Sequence, residues 1–138
     1  MKTIVFIGTN KSGSSYEALK ASEKMLYYTV LLTDQVKLTE QSQELPHAHL
    51  IKMCNINNID DVRNAVNELT EKSLDIQAIV SFIEPHCHTA ALLAREFGLE
   101  SFSAEAISIM LDKIESRKRL SGSPFASFFY VIDNNGPI

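Results

Sequence analysis

Hydrophobic residues occur in short, nearly continuous runs separated by longer stretches with helical spacing. The runs lie at residues 3–7, 29–33, 50–54 and 76–83, and each is followed by a polar or glycine- and proline-containing segment. Continuous rather than alternating apolar runs are typical of strands that are buried on both faces of a parallel sheet. The pattern therefore predicts four parallel strands.

Between these runs, apolar residues recur at intervals of three and four, which predicts helices that pack one face on the sheet. The first predicted helix follows the loop at residues 8–13 and would be capped by Ser14 or Ser15. The second begins after Asn58. The third ends at Gly98, where a helix terminus favours a left-handed residue.

The remaining segments predict loops and a C-terminal extension. Residues 35–47 have no clear period and predict a long loop, and another loop is predicted to begin at Pro85 because proline cannot continue a paired central strand. A fourth helix is predicted to reach about Leu120 and to be followed by a strand at residues 125–132. The tail at 133–138 is rich in turn residues, so we expect the chain to stop where a further strand would begin.

Strands that alternate with helices through short connections predict an α/β fold with a Rossmann-like parallel sheet and helices on both faces. Right-handed crossovers give the strand order 3-2-1-4, with room for a short fifth strand at residues 99–102. We expect residues 1–103 to form this domain. Residues 104–138 are then expected to be a linker helix and the first strand of an incomplete second domain.

Composition and charge exclude several classes of protein. The 138 residues include 13 basic and 17 acidic side chains, a net charge of −4, which argues against an extended nucleic-acid footprint. No apolar stretch approaches the roughly 20 residues that span a bilayer, and the chain starts directly in a strand pattern. We therefore predict a cytoplasmic protein with neither a nucleic-acid nor a membrane partner. Cys54 and Cys87 are too few for a disulfide scaffold.

The loop at residues 8–13 joins the first strand to the first helix, so its backbone N–H groups could accept an anion. Its glycine spacing is neither that of a dinucleotide-binding fingerprint nor that of a phosphate-binding P-loop. Lys11 is the side chain best placed to reach an anion. A plain tight turn explains the loop equally well.

A second polar group, Glu84 and His86-Cys87-His88, follows the fourth strand, where open α/β sheets bind ligands. Adjacent residues cannot all face one metal ion, so a helix N-terminal cluster near a substrate cleft is favoured over a metal site. A Cys87 nucleophile with a lowered pKa is the less favoured alternative, since no second cysteine lies nearby. For Glu84, a solvated loop acid has about equal weight.

Two features of the second half of the chain resemble one enzyme superfamily. Glu84 is followed by a leucine- and alanine-rich helix that ends at Gly98-Leu, and residues 111–124 read LDKIESRKRLSGSP. This combination resembles the ATP-grasp superfamily, which includes biotin carboxylase, the carbamoyl-phosphate synthase large chain, D-alanine–D-alanine ligase and the L-amino acid ligases. The resemblance covers roughly residues 1–132 and is most specific at 84–124.

The second feature is similar to the family pattern D-K-x-x-x-R-x-x-L-x-x-x-G-x-x-x-P. Asp112, Lys113, Arg117 and Leu120 fit its register. The glycine and proline that follow are closer than the pattern requires, so the turn after this helix departs from the family.

The resemblance implies the N-terminal part of an ATP-dependent carboxylate–amine ligase, that is, a pre-ATP-grasp domain of the biotin carboxylase N-terminal type and the start of the ATP-grasp domain. Such enzymes use ATP and Mg²⁺ to convert a carboxylate to an acyl phosphate, which an amine then attacks. The resemblance implies that Lys113 contacts ATP phosphate and that Lys11, Glu84 and His86 lie near the substrate. No residue of the chain is assigned a catalytic or metal-binding role.

The same resemblance sets the expected partners. The Mg²⁺ ligands lie later in the family fold, so we expect no turnover and no bound ATP or Mg²⁺ for these 138 residues alone. The remainder of the ATP-grasp domain and small carboxylate and amine substrates are the implied partners. Apolar side chains at Phe125, Phe128, Phe129 and Tyr130 would be exposed without that remainder, which predicts a homo-oligomer.

Two other functions fit parts of the pattern. A free-standing Rossmann-like module could bind a small molecule or nucleotide through residues 8–13. A flavodoxin-like signalling domain is a weaker alternative, because the first strand ends in Gly8-Thr9 rather than in the acidic cluster of a receiver.

Overall fold

A computed structural model describes residues 1–40 and 42–131. The strands are β1 (Lys2–Ile7), β2 (Tyr28–Thr33), β3 (Leu50–Met53) and β4 (Asp75–Val80). The helices are α1 (Ser14–Lys24), α2 (Val36–Glu40), α3 (Ile59–Glu71), α4 (Glu84–Glu96), α5 (Ala104–Leu111) and α6 (Lys113–Leu120), with a 3₁₀ turn at Ser42–Glu44. None of the helices in the described ranges is long and apolar enough to cross a membrane.

The four strands form one parallel sheet in the order β3-β2-β1-β4, as the sequence predicts. β1 is central, and its Val5 lies between Val30 of β2 and Ile79 of β4. All three of these side chains are buried. Because every strand runs in the same direction, the four carboxyl ends meet at one edge of the sheet.

Each face of the sheet has its own hydrophobic core. On one face Val5 and Leu32 pack with residues of α3 and α4, and on the other Phe6 and Leu31 pack with Leu19 of α1. Alternate residues of β1 and β2 therefore enter different cores. This arrangement explains why both strands read as continuous apolar runs.

The connection between β2 and β3 is more ordered than the sequence predicts. It contains α2 and the 3₁₀ turn rather than a featureless loop. Leu38 and Leu45 are only 2% and 1% exposed, and both belong to the core on the α1 face. Two isolated leucines among polar residues give no helical period, which is why the pattern did not reveal this packing.

The prediction of a loop at Pro85 is wrong, because α4 begins at Glu84 and contains Pro85 in its first turn. Proline fits there because the first N–H groups of a helix have no intrahelical acceptor to lose. Residues 84–88 therefore form the first turn and a half of a helix.

Neither Ser14 nor Ser15 caps α1. The N-cap is Gly13, in a backbone conformation with φ of 84°, and it makes no side-chain capping bond. The Ser15 hydroxyl instead accepts the N–H of Asn10 at 3.0 Å, and so stabilises the preceding loop.

The predicted fourth helix is broken into α5 and α6 at Asp112. The Asp112 carboxylate accepts the N–H groups of Ile114 and Glu115 at 2.9 and 3.0 Å, and so caps α6. A capping aspartate has an extended backbone, with ψ of 104° here, which ends the preceding helix.

The structure contains neither of the additional strands. Residues 99–102 have no regular secondary structure, so the suggested fifth strand is absent from the described sheet. The predicted strand at 125–132 is not formed over residues 125–131. Position 132 and the tail at 133–138 lie outside the described residues.

Helices α1, α3 and α4 end in the same way, with a left-handed residue at Leu26, Ser73 and Gly98 respectively. Gly98 has φ of 69°, which confirms the prediction for that position. At the end of α1, the N–H of Leu26 donates to the carbonyl of Glu23 and the N–H of Tyr27 to that of Ser22. These two bonds define a Schellman motif, in which glycine is the preferred left-handed residue.

We predict that Leu26→Gly stabilises the protein by about 0.5–1 kcal/mol. Leu26 is 91% exposed, so little buried surface is lost. Glycine removes the steric strain of a left-handed backbone, which is about 1–2 kcal/mol for a residue with a Cβ atom. This gain exceeds the conformational entropy that glycine loses on folding, about 0.5–1 kcal/mol. The measurement is urea unfolding, with Met25→Gly as the control. Met25 is also exposed but has φ of −84°, so glycine should destabilise there. A loss of stability in both variants would contradict the prediction.

Candidate functional site

The candidate site lies at the carboxyl ends of the strands and starts from the loop after β1. The N–H of Gly8 donates to the carbonyl of Leu32 at 2.9 Å, which continues the pairing with β2 beyond the end of β1. Gly8 then turns into the loop with φ of 70°, a conformation that favours glycine. The first loop thus leaves the sheet directly above the neighbouring strands.

His86 lies over this loop. A Cβ atom at Gly8 would be 3.5 Å from Cδ2 of His86, Cδ1 of Ile56 and Cγ1 of Ile83. His86 is half-buried, and its ring makes no hydrogen bond within the described ranges. The fold therefore brings together two features that the sequence singled out separately, the loop at 8–13 and the histidine after β4.

Ser81 holds this arrangement in place. Its hydroxyl donates to the carbonyl of Ile7 at 2.7 Å and accepts the N–H of Ile83 at 3.1 Å. These bonds join the ends of β1 and β4 and fix where α4 begins. Ser81 is not among the residues predicted for the site, although a hydroxyl that interrupts an apolar strand near its end is a usable signal.

Glu84 and Cys87 lie in the first turn of α4. Glu84 is exposed, and the Cys87 thiol lies 3.4 Å from the carbonyl oxygens of Ser81 and Ile83. Burial raises the pKa of the Cys87 thiol, and the negative charge of Glu84 raises it further. The pKa of the Cys87 thiol is thus raised rather than lowered, so the less favoured alternative of a nucleophile with a lowered pKa gains no support.

The second cysteine follows β3 on the same edge of the sheet. Burial raises the pKa of the half-buried Cys54 thiol to about 11, and the nearby positive charge of Lys52 opposes this only in part. Asp34, after β2, accepts a hydrogen bond from the side-chain amide of Asn57 at 3.2 Å. This contact joins the segments that follow β2 and β3.

Lys11 extends from the exposed part of the first loop. Its ammonium forms an ion pair with Glu44, which belongs to the 3₁₀ turn between β2 and β3. Both side chains remain largely in contact with solvent. Lys11 therefore lies at the predicted edge of the sheet, but its charge already has a partner.

Lys113 is the first residue of α6 and is exposed. It borders an open surface depression together with Ser108, Leu111, Asp112 and Ile114. Within residues 1–40 and 42–131, its ammonium takes part in no hydrogen bond or ion pair. α6 packs on α5 and α5 on α4, so Lys113 is two helices away from the sheet.

The described residues contain no group of three or more histidine, cysteine, aspartate or glutamate side chains that could hold a metal ion. The metal reading of His86-Cys87-His88 therefore gains no support from the structure. The chemistry available at the sheet edge is that of a lysine ammonium, an imidazole and a carboxylate beside a glycine turn.

Comparisons with known proteins agree with this fold. The chain resembles three solved structures. The first is the L-amino acid ligase from Bacillus licheniformis, with a TM-score of 0.68 and 14% identity; the match covers 87% of this chain and 29% of that one. The second is phosphoribosylglycinamide synthetase from Anaerococcus prevotii, with a TM-score of 0.61 and 16% identity; the match covers 86% of this chain and 28% of that one. The third is the biotin carboxylase domain of the Hydrogenobacter thermophilus 2-oxoglutarate carboxylase in complex with MgADP and bicarbonate, with a TM-score of 0.55 and 18% identity; the match covers 84% of this chain and 26% of that one.

These proteins are ATP-grasp enzymes, so the resemblance predicted from the sequence is confirmed at the level of the fold. The chain spans less than a third of the length of each of these three structures. No family model matches the sequence, and no curated protein is significantly similar to it.

We predict that both thiols react slowly with iodoacetamide near neutral pH. With a pKa of about 11, only about one Cys54 in a thousand is ionised at pH 8, and the thiolate is the reactive form. For Cys54 the rate should rise about tenfold per pH unit between about pH 7 and 9 because the thiolate fraction rises in that proportion. Mass spectrometry of Cys87→Ser and Cys54→Ser separates the two thiols. A rate that levels off within this range would contradict the raised pKa.

Proposed function

We propose that the chain is the N-terminal part of an ATP-dependent ligase that joins a carboxylate to an amine or a related nucleophile. Residues 1–103 would contribute to the substrate site, and residues 104–138 would begin the ATP-grasp domain. The observation that carries the proposal is the shared fold with three enzymes of this class, combined with an Asp112-Lys113 helix in the family register. Fold alone does not determine activity, so the match of Asp112 and Lys113 to the family pattern is the more specific support.

Lys113 suits the proposed contact with ATP phosphate. Asp112 caps α6, so the Lys113 backbone is fixed at the helix start while its side chain extends into solvent. An ammonium without a protein partner is a compact point charge that can bind phosphate oxygens. The described residues offer no group of carboxylates for Mg²⁺, so we assign no metal-dependent step to them. ATP and Mg²⁺ would belong to the complete enzyme.

Lys11, Glu84 and His86 are proposed to face the substrate. The position of His86 beside Gly8 and the exposure of Glu84 in the first turn of α4 support this role. A lysine and an imidazole suit a carboxylate or phosphate oxygen, and a glutamate suits an amine. The site therefore offers complementary charge to both proposed substrates.

Exposed apolar residues in the C-terminal arm, defined as residues 99–131, also support an incomplete unit. Phe125 and Phe128 are 85% and 89% exposed, and Phe102 and Tyr130 are exposed to a similar degree. Phe129, which the sequence also predicts to be exposed, is instead half-buried. The guanidinium carbon of Arg117 lies over its ring, 5.8 Å from the ring centre. Such a concentration of apolar surface is typical of a face that a further domain or subunit covers.

We predict that Lys113→Met weakens ATP binding about tenfold to hundredfold in the protein that carries the rest of the ATP-grasp domain. A hydrogen bond to a charged group contributes about 1.5–3 kcal/mol, and the substitution removes it. Isothermal titration with ATP and Mg²⁺ measures the change. Lys118→Met is the matched control, because Lys118 is an exposed lysine of the same helix outside the family register.

Two results would contradict the proposal. One is equal ATP affinity of Lys113→Met and the unsubstituted protein. The other is a coding sequence that stops at position 138 without glycine-rich loop and metal-ligand segments, which would favour the free-standing binding module. The 138-residue chain alone is expected to form no ADP from ATP in the presence of carboxylate and amine.

We also predict that the 138-residue chain self-associates through the C-terminal arm. Its light-scattering mass should exceed 15.4 kDa and rise with concentration, because exposed aromatic surface is removed from water on association. The double variant Phe128→Ser with Tyr130→Ser should shift the mass toward the monomer. Met25→Ser, an exposed apolar residue outside the arm, should not. A monomer at all concentrations would contradict the prediction.

A further inference from the structure

The ion pair between Lys11 and Glu44 joins the candidate site to the connection between β2 and β3. Lys11 lies in the loop after β1, and Glu44 lies in the 3₁₀ turn, 33 positions later in the sequence. The side chains are 56% and 41% exposed, so both are accessible to a solute. The proposed substrate-binding lysine is thus paired with a carboxylate of its own chain.

The position of Glu44 is fixed by its neighbours. Leu45, the next residue, is buried in the core on the α1 face, and its carbonyl accepts the N–H of Ala48 at 3.0 Å. Beyond it, the His47 ring lies 2.6 Å from a carboxylate oxygen of Glu23 on α1. The turn that carries Glu44 is therefore attached to the body of the domain on its C-terminal side.

The anchoring of Lys11 is weaker. The N–H of Asn10 donates to the Ser15 hydroxyl at 3.0 Å, but Asn10 and Ser12 are exposed, and the four-carbon stem of Lys11 allows its ammonium to turn about several bonds. When an anion enters the site, Lys11 is consequently the partner that moves, while Glu44 stays in place.

We propose that Glu44 is a built-in competitor for the anionic group of the ligand. In the absence of ligand, the Glu44 carboxylate forms an ion pair with the Lys11 ammonium. The anionic group of the ligand must displace this carboxylate to bind Lys11. This inference rests on the proposed function, in which Lys11 binds the anionic group of a substrate. Glu44 then lowers the affinity for weak anions and releases Lys11 only to a ligand that makes additional contacts at the site.

The test is an NMR titration of the 138-residue protein with inorganic phosphate at constant ionic strength, followed through the amide signals of residues 8–13. Glu44→Gln should bind phosphate about two- to fivefold more tightly, which is the range that exposed ion pairs contribute. Glu17→Gln is the matched control. It removes the same charge from the exposed surface of α1, where Glu17 lies 3.7 Å from Lys20.

A second pair of variants establishes that Glu44 acts through Lys11. Lys11→Met should weaken phosphate binding, and adding Glu44→Gln to it should change nothing further. Urea unfolding of each variant verifies that the fold is retained. An unchanged or weaker affinity in Glu44→Gln overturns the inference, and so does an equal gain in Glu17→Gln or a gain that persists without Lys11.

The titration also separates this inference from the proposed function. If Lys11→Met binds phosphate more weakly but Glu44→Gln does not bind it more tightly, Glu44 is not a competitor and the substrate role of Lys11 stands. If phosphate binds Lys11→Met as tightly as the unsubstituted protein, the substrate role of Lys11 is wrong and the competitor is wrong with it. Signals at residues 8–13 that do not respond to phosphate in any variant overturn both.

Discussion

The structure depends on the pairing of β1 with strands on both of its sides. The same residue, Val5, is paired to Val30 and Ile79, and the N–H of Gly8 extends the ladder by one more residue toward β2. Since all strands are parallel, this pairing determines that the loop at 8–13 and the start of α4 lie at the same edge. The hydroxyl of Ser81 then joins the two segments through the carbonyl of Ile7. The position of His86 beside Gly8 follows from these constraints.

Sequence reasoning identified the fold well because burial on both faces produces an unambiguous pattern. The four strands, their order and the left-handed Gly98 are confirmed. Asn58 also caps α3 at the predicted start, where its side chain accepts the N–H groups of Asp60 and Asp61. In each of these features the local sequence preference and the packing of the whole domain favour the same structure. A sequence pattern predicts structure correctly where the two agree.

The errors arose where two local signals competed or where the deciding contact is distant in sequence. Pro85 after a strand is typical of a loop, but proline is equally suited to the first turn of a helix, where it lies here. The apolar spacing around Asp112 predicts one continuous helix, but the Asp112 carboxylate caps a new one. The residues predicted for the site follow β1 and β4 at the carboxyl edge of the sheet, but the partners of Lys11 and Ser81 come from other elements. No spacing rule connects position 11 with position 44.

The central place of β1 in the sheet has a consequence for biosynthesis. β1 leaves the ribosome first, but its partner β4 begins at residue 75, and synthesis of that interval takes about 4–15 s at 5–20 residues per second. During this time the apolar strand can pair only with β2, and its other edge is exposed to other nascent chains. The topology therefore leaves one edge of β1 without its partner strand until most of the domain has been translated.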